Sequence, residues 1–376
     1  MPLIMKNSKV HPAFKLNGVA LDNHALVKKA HDLFERGMPY EKDVGEFLLQ
    51  WLNDGTTIQV QTSGSTGTPK RITLKKAQMV RSAEATGAFF NAMEGTRALH
   101  CLPSLYIAGK MMLVRAMVLG WELSYVKPGS TPLANTAGTF DFCAMVPLQL
   151  SHSLEHLEKV KTVIVGGAPM GLTLKEKVAE LPTKIYETYG MTETITHVAV
   201  RAVNKSAVKQ SMSRSTTNAT DQPLVTSYFQ ALPKVAFSQD NRGCLVISAP
   251  GVTANDVVTN DMVRLLSSTA FEWLGRHDNV INSGGIKLIP EQIEAKLAKL
   301  ITERFFVYGV PDSELGQKMV LFIEGEPNVQ GIRKSIEHAG ALDKFEMPKA
   351  VMGVPLFKET QNGKINRKAT VDGRLG

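Results

Sequence analysis

The stretch TVIVGGAPMGLTLKEKVAELPTKIYETYG, residues 162–190, decides the fold class of this sequence. It begins and ends with short runs rich in β-branched residues, 162–168 and 183–190, and residues 172–181 between them have helical periodicity. A strand, a helix and a strand in this order predict two parallel strands joined by a crossover helix. Because the same alternation runs from about Val60 onward, the sequence predicts an α/β fold with parallel strands.

Length and composition indicate a globular protein of two or three domains. The chain has 376 residues, of which 43% are hydrophobic and 21% charged, close to the average for globular proteins. Lys and Arg number 43 and Asp and Glu 35, a net charge of +8 that suits an anionic small-molecule substrate. No basic block or interleaved aromatic run indicates a nucleic-acid partner.

Cysteine usage and hydropathy favour the cytoplasm. Cys101, Cys143 and Cys244 are far apart and form no CxxC pair, so neither a disulfide framework nor a zinc ribbon is expected. The most apolar stretch, residues 106–121, contains a lysine and an arginine and is shorter than the ~20 residues of a membrane span. We therefore predict a core helix there and no membrane insertion. The N-terminus lacks the apolar region of a signal peptide.

The pattern changes after GRHDNVINSGG, residues 275–285, and this change predicts a domain boundary. Pro290 stands at the favoured first position of a helix, and two strands, a helix and a last strand follow. We therefore predict an N-terminal domain over residues 1–277 and a small α+β domain over residues 278–376. The basic, Ser/Thr-rich stretch 205–221 is predicted to be an exposed loop.

The segment TSGSTGTPK, residues 62–70, is the strongest local signal for phosphate binding. Hydroxyl groups and unobstructed glycine N–H groups are the ingredients of an anion-binding nest, and Lys70 adds charge. It is not a Walker A loop, because Pro69 and Arg71 stand where that motif needs Gly and Ser or Thr. A flexible Gly/Ser turn is the alternative interpretation. The candidate phosphate-binding residues are Thr62, Ser63, Gly64, Ser65, Thr66, Gly67 and Lys70.

Four more segments complete a recognisable series in the order YGMTE (189–193), VTND (258–261), GRHDNVINSGGIKLIPEQIE (275–294) and NGKINR (362–367). Together with TSGSTGTPK they resemble the adenylate-forming acyl-CoA synthetase superfamily. The resemblance implies a large N-terminal domain of stacked sheets and helices and a small, mobile C-terminal domain. It also implies two half-reactions: a carboxylate attacks the α-phosphorus of ATP in the presence of Mg²⁺, and the CoA thiol then displaces AMP.

Within that superfamily, the phrases YIAGKMMLVRAMVLG and YGMTETITHVAVR resemble the short bacterial ligases that join o-succinylbenzoate to CoA in menaquinone synthesis. Departures are Arg71, where many members have Gly, and Asn260, which replaces the usual Gly before Asp261. Two alternatives stay open, a ligase for another aryl or medium-chain acid and a non-catalytic AMP-binding module. A retained Lys364, Glu193 and Asp261 argue against the second. The sequence does not indicate an oligomeric state.

The resemblance assigns roles to individual residues around the nucleotide. Glu193 is expected to hold Mg²⁺ near the phosphates, because a carboxylate beside a triphosphate requires a hard cation between them. Asp261 is expected to accept hydrogen bonds from the ribose hydroxyls, Arg276 to donate to ribose or phosphate, and Asp278 to act as the hinge. The remaining nucleotide-binding candidates are Gly167, Ala168, Pro169, Tyr189, Gly190, Met191 and Thr192.

The catalytic lysine of adenylation is expected to be Lys364, which follows an Asn-Gly turn signal that would expose it at a loop tip. Lys287 is expected to serve the thioester-forming step. For the acyl group, Tyr106 and Lys110 lie at a predicted helix start where N–H groups and an ammonium could meet a carboxylate. His197 is the other acyl-binding candidate. Each of these could instead be a solvated or structural polar residue.

Overall fold

The computed structural model describes residues 10–61, 71–212, 227–359 and 365–375. Its strands are β1 Lys15–Leu16, β2 Val19–Ala20, β3 Thr57–Gln61, β4 Arg71–Lys75, β5 Arg97–His100, β6 Glu122–Tyr125, β7 Phe140–Met145, β8 Val160–Val165, β9 Lys184–Gly190, β10 His197–Ala202, β11 Phe229–Ala231, β12 Ala236–Gln239, β13 Cys244–Ser248, β14 Val257–Ser267, β15 Ala270–Arg276, β16 Ile281–Ser283, β17 Ile286–Leu288, β18 Phe305–Asp312, β19 Gly316–Glu324 and β20 Ala350–Val354. Its helices are α1 Asn23–Arg36, α2 Pro39–Leu52, α3 Lys76–Phe90, α4 Ile107–Leu119, α5 Pro147–Ser151, α6 Leu172–Val178, α7 Lys205–Met212, α8 Pro290–Leu297, α9 Val329–Ala339 and α10 Arg367–Leu375.

The described residues divide into two compact units. The first comprises residues 10–61, 71–212, 227–236 and 247–257, and the second comprises residues 237–246, 258–359 and 365–375. The hairpin of β14 and β15 thus groups with the C-terminal residues. The domain boundary between residues 277 and 278 stays a prediction.

A large sheet organises the first unit, in the order β2-β1-β6-β5-β7-β8-β9-β10-β11. Neighbouring strands from β1 to β9 are parallel, and β10 and β11 continue the sheet in antiparallel fashion. The run 162–190 contributes β8, α6 and β9, a parallel pair with a crossover helix. The predicted α/β fold class is confirmed.

Helix α4 is the predicted core helix, and it is buried on nearly every side. A helix that is apolar all round belongs in the interior of a large unit. Lys110 and Arg115 are buried with it, at 7% and 1% exposure. Within the described ranges, no helix is long and apolar enough to cross a bilayer.

Strands β3 and β4 form a separate two-stranded hairpin in the first unit. Its last pair joins Gln61 to Arg71, the residues that bound the predicted phosphate loop. The loop itself, residues 62–70, lies outside the described residues.

The second unit contains the antiparallel hairpin of β14 and β15 and a sheet in the order β17-β16-β19-β18, with β20 parallel to β19. Pro290 occupies the first turn of α8, as predicted. Ile293 and Leu297 of that helix are buried in a core shared with β18 and β19. The predicted α+β character of the C-terminal region is confirmed.

Two helices correct the expectations from sequence. Residues 205–212, predicted to be part of an exposed loop, form α7, because Asn204 caps its first turn and Ala207 and Val208 are buried. Residues 213–221 of that stretch lie outside the described residues. No helix was predicted after the last strand, but the structure has α10 there, beginning at Arg367.

Candidate active site

The carboxyl ends of β8 and β9 lie side by side in the sheet of the first unit. The strands are parallel, with Val165 opposite Glu187, so the turns 166–169 and 191–194 leave the same sheet edge. The Thr188 hydroxyl donates to the Val165 carbonyl over 3.0 Å and ties the two strands together. In α/β proteins, ligands bind at the carboxyl ends of parallel strands. The edge brings together these predicted nucleotide-binding residues: Gly167, Ala168, Pro169, Tyr189, Gly190, Met191 and Thr192.

The turn after β9 is tight and strained. Met191 N donates to the Thr194 hydroxyl oxygen over 3.0 Å, and that hydroxyl lies 2.8 Å from the Thr196 carbonyl. Ile195 is 1% exposed and has φ +65° and ψ −60°, a conformation that a β-branched residue rarely adopts. Strain of this kind costs roughly 1–3 kcal/mol and clusters at functional sites. The turn is therefore held in one geometry by its surroundings.

Gly190 is required because the chain approaches itself closely there. A Cβ at this position would lie 2.3 Å from the Thr196 carbonyl oxygen and 2.5 Å from the Cα of His197. Beyond this approach, Thr192–Thr194 form one 3-10 turn, in which Glu193 is exposed. The predicted metal-binding carboxylate is thus open to solvent at the sheet edge.

The donor chemistry of Glu193 fits a magnesium ion shared with phosphates. Mg²⁺ is usually held by one or two carboxylates together with waters and substrate phosphates. In the part of the chain that is described, no three His, Cys, Asp or Glu side chains cluster in a way that could hold a metal ion. One exposed carboxylate on a fixed turn is the donor that such a shared ion needs from the protein.

Glu187 stabilises the same sheet edge through its contacts, a role that was not predicted from the sequence. Its carboxylate accepts a hydrogen bond from Met170 N at 3.0 Å and pairs with Arg201 at 2.5 Å and Lys175 at 3.3 Å. Burial would raise the pKa of this carboxyl, but the charges of Arg201 and Lys175 and the hydrogen bonds lower it overall. Glu187 therefore stays ionised and links the turn after β8 to β9 and β10.

Arg115 is the second residue that sequence reasoning missed. Its guanidinium is buried, and its contacts are long ones to neutral groups: Thr86 Oγ1 at 3.3 Å, Thr196 Oγ1 and His197 Nδ1 at 3.4 Å each, and Met112 Sδ at 3.7 Å. No carboxylate among the described residues pairs with it, and burial lowers its pKa to about 9. A buried cation without an acid is costly unless an anion joins it. The available signal was an arginine within an otherwise apolar helical run.

His197, an acyl-binding candidate, lies beside Arg115 and is buried. Its Nε2 is 3.4 Å from the Thr86 hydroxyl, and its pairing in the sheet is with Gly190. Burial, followed by the charge of Arg115, lowers the pKa of this imidazole well below its ordinary value. His197 is therefore a neutral hydrogen-bonding group under the turn that carries Glu193.

Tyr106 and Lys110 lie at the start of α4, as predicted: Tyr106 is its N-cap residue. The Lys110 ammonium donates to the Ser104 carbonyl over 2.8 Å and lies 5.2 Å from the ring centroid of Phe47. A cavity of about 240 Å³ adjoins it, and Asp43, Glu46 and Arg71 are among its other lining residues. Burial lowers the pKa of Lys110, and the carboxylates of Glu46 and Asp43 oppose that shift in part.

In the second unit, Asp261 and Arg276 are opposite each other in the β14–β15 hairpin. Asp261 is 8% exposed, and its carboxylate accepts from the Trp273 indole N–H at 3.2 Å and lies 3.8 Å from Nε of Arg276. The structure thus brings the two predicted ribose-side residues together. A carboxylate oxygen can accept hydrogen bonds from the hydroxyls of a diol.

Asp278, the predicted hinge, is held by two donors. Arg276 donates to it over 3.2 Å and the Asn260 amide over 3.1 Å. The Asn260 carbonyl oxygen in turn accepts from Arg242 at 2.9 Å, which fixes the orientation of the amide. Asn260, the departure from the family pattern, therefore makes a side-chain contact with the predicted hinge residue that glycine could not make.

Lys287 is exposed on β17, just after the turn made by Gly284 and Gly285. It pairs with Asn282 across the β16–β17 hairpin. Eight predicted site residues lie outside the described residues, and their roles stay predictions: Thr62, Ser63, Gly64, Ser65, Thr66, Gly67, Lys70 and Lys364.

Comparison with known proteins assigns the family. The AMP-binding enzyme family profile matches residues 40–254, more than half of the chain. An acyl-CoA synthetase (AMP-forming)/AMP-acid ligase II-like protein from Dyadobacter fermentans is 38% identical, with a TM-score of 0.58 over 89% of this chain and 94% of its own. A probable 2-succinylbenzoate–CoA ligase from Mycobacterium tuberculosis is 26% identical over 85% of both chains.

A solved structure of o-succinylbenzoate coenzyme A synthetase from Bacillus subtilis, in complex with ATP and magnesium, shares the fold. It is 19% identical, with a TM-score of 0.67 over 94% of this chain and 82% of its own. The resemblance to the adenylate-forming acyl-CoA synthetases is confirmed by these matches together. The chain belongs to the family of AMP-binding enzymes.

Proposed function

We propose that this enzyme is an ATP- and Mg²⁺-dependent ligase that activates o-succinylbenzoate as its acyl-adenylate and transfers the acyl group to CoA. Membership of the family supports the AMP-forming acyl-CoA ligase activity. The name of the M. tuberculosis relative supports the acyl group. The single observation that carries the choice of a dicarboxylate is Arg115, a buried cation without a carboxylate partner among the described residues.

In the first half-reaction, a carboxylate oxygen of the acid attacks the α-phosphorus of ATP and pyrophosphate leaves. Magnesium would neutralise phosphate charge beside Glu193. The exposed turn after β9 would place backbone groups along the adenylate, and Asp261 and Arg276 would hold the ribose. Lys364 would stabilise the charge that develops between the carboxylate and the α-phosphate.

In the second half-reaction, the CoA sulfur attacks the acyl carbon, the mixed anhydride bond breaks, and AMP leaves with the bonding electrons. Asp278 would be the pivot between the two arrangements, and Lys287 would serve this step. Lys287 is exposed on β17, so its ammonium is accessible to a substrate.

The acyl group would be held through the carboxylate that is not activated. Arg115, Lys110 and His197 are the candidate partners. Arg115 carries a charge that no described carboxylate neutralises, whereas Lys110 has Glu46 and Asp43 nearby and His197 is neutral. A second carboxylate beside Arg115 would supply the missing counter-charge. Arg115 is therefore the strongest of the three candidates.

The test is AMP formation from ATP with o-succinylbenzoate, Mg²⁺ and CoA, each component omitted in turn. We expect AMP and the thioester to form together and to disappear with any omission. A panel containing benzoate and a medium-chain fatty acid measures the choice of acid. A monoacid with a higher kcat/KM than o-succinylbenzoate would refute the proposed substrate, and AMP binding without turnover of any acid would refute the ligase activity.

A further inference from the structure

Helix α8 carries two carboxylates on one face, because Glu291 and Glu294 are three residues apart. Glu294 accepts a hydrogen bond from Val307 N at 2.8 Å and from the Arg367 guanidinium at 2.9 Å. Arg367 also donates to the Val307 carbonyl over 3.3 Å and lies 5.8 Å from the ring centroid of Phe306. The guanidinium is thus fixed between α8 and β18.

Glu291 joins the same helix to the end of β15. Its Oε1 accepts from the Asn279 amide at 2.5 Å and lies 4.0 Å from Arg367, while its Oε2 is buried and has no hydrogen-bond partner among the described residues. Gly275, with φ +155°, faces this carboxylate so closely that a Cβ there would lie 2.5 Å from Oε2. Glu291 therefore packs against the backbone that leads into Asp278, the predicted pivot.

Stability does not explain this arrangement. Two partly buried carboxylates share one arginine, and burial, together with the charge of Glu291, raises the pKa of Glu294 to about 7 in spite of Arg367. Buried ion pairs of this kind are often no more stable than apolar replacements, but they can define one geometry. Through the two glutamates of α8, these contacts fix the position of Asn279 relative to Arg367.

We propose that Glu294 and Arg367 are positioning residues for the adenylation step, holding the C-terminal end of the NGKINR segment against α8. The inference rests on the proposed function, in which Lys364 acts in that step. Arg367 is three residues beyond Lys364 in sequence, and the two residues Glu359 and Ile365 that flank residues 360–364 form an antiparallel bridge. A displacement of about 1 Å at a catalytic group can slow a reaction by roughly a hundredfold.

The test measures the two half-reactions separately in Glu294→Gln, which keeps the shape of the side chain and removes its charge. We expect pyrophosphate release from acid and ATP to slow by roughly 10- to 100-fold in kcat, with the KM for ATP changed less than about threefold. Thioester formation from pre-made acyl-adenylate should stay within about threefold of wild type. The Tm at pH 8 should fall only slightly, because Glu291 stays 4.0 Å from Arg367 and keeps a carboxylate beside the guanidinium.

A matched control and a second variant make the result specific. Glu346→Gln removes another carboxylate that pairs with α8, at Lys296 over 2.5 Å, and should leave both half-reactions unchanged. Arg367→Lys keeps the charge but loses the planar fork, so adenylation should slow as it does in Glu294→Gln. The double variant should be no slower than the slower single variant, because the two residues act through one contact.

Two outcomes would overturn the positioning role. One is adenylation at the wild-type rate in both Glu294→Gln and Arg367→Lys; the other is an equal loss of both half-reactions in either variant. In either case, an active wild-type enzyme would leave the proposed function standing. A wild-type protein that forms no acyl-adenylate from any acid of the panel would refute the proposed function and the positioning role with it.

Discussion

Replacing Arg115 by Met should remove most of the preference for an acid with two carboxylates. Arg115 is 1% exposed, and its nearest described contacts are neutral groups at 3.3 Å or more, so no described carboxylate competes with a substrate carboxylate for its charge. A charge-assisted hydrogen bond of this kind is worth roughly 1.5–3 kcal/mol, which is roughly a 10- to 150-fold loss in kcat/KM for the diacid. The kcat/KM for benzoate-like acids should be nearly unchanged by the substitution, because these acids lack the second carboxylate that would contact Arg115.

The assay is the ratio of kcat/KM for o-succinylbenzoate over that for a monoacid, in wild type and in Arg115→Met. Methionine fills a similar volume without a charge, so the Tm should equal or exceed that of wild type. Arg81→Met is the matched control, since Arg81 is exposed and pairs with Glu84 on the surface of α3. Its ratio should be that of wild type.

An unchanged ratio in Arg115→Met would show that Arg115 does not bind the second carboxylate. If the ratio falls strongly in Lys110→Ala, with a raised KM for the diacid, Lys110 binds the second carboxylate. If it collapses in His197→Ala instead, the neutral imidazole is the anchor. If none of the three variants changes the ratio, the choice of o-succinylbenzoate loses its structural support.

Three further predictions concern the two half-reactions. Lys364→Ala should abolish acyl-adenylate formation and largely spare thioester formation from pre-made acyl-adenylate; equal loss of both, measured by pyrophosphate release and thioester yield, would contradict its role. Asp278→Pro should leave adenylation intact and slow CoA transfer in single-turnover assays, because proline fixes φ near −65°, and normal rates of both steps would place the pivot elsewhere. Gly190→Ala should destabilise the protein by roughly 1–3 kcal/mol in denaturant titration and slow adenylation, because its Cβ would lie 2.3 Å from the Thr196 carbonyl oxygen. Wild-type stability of this variant would show that the turn can adjust to a Cβ.

The sequence predicted the fold class well because the signals were long and periodic. The pattern of residues 162–190 predicted β8, α6 and β9, and the mostly apolar run after Tyr106 becomes α4. Helix α7 was missed because its polar, Ser-rich sequence has weak periodicity, and its stability comes from the Asn204 cap and the burial of Val208. Tertiary packing, not local propensity, decides such a short helix.

The candidate site was predictable only in part. The motif YGMTE singled out Glu193, and the structure adds that it lies on a turn at a sheet edge, where the parallel register of β8 and β9 brings the glycine-rich turn beside it. Arg115 and Glu187 were not predicted, because a charged residue in an apolar run gives no indication of whether a carboxylate meets it in three dimensions. The contact of Asn260 with Asp278 likewise depends on the geometry of a hairpin that the motif does not encode.

Isotope labelling of the acid distinguishes an acyl-adenylate intermediate from other routes to the thioester. With the carboxylate to be activated labelled with ¹⁸O, attack on the α-phosphorus makes one labelled oxygen the bridge of the acyl-adenylate, and thiolysis leaves that oxygen on AMP. We expect mass spectrometry to find one ¹⁸O in each AMP formed during CoA thioester synthesis, and none in pyrophosphate. AMP without label, or label in the pyrophosphate, would contradict an acyl-adenylate intermediate and the proposed function with it.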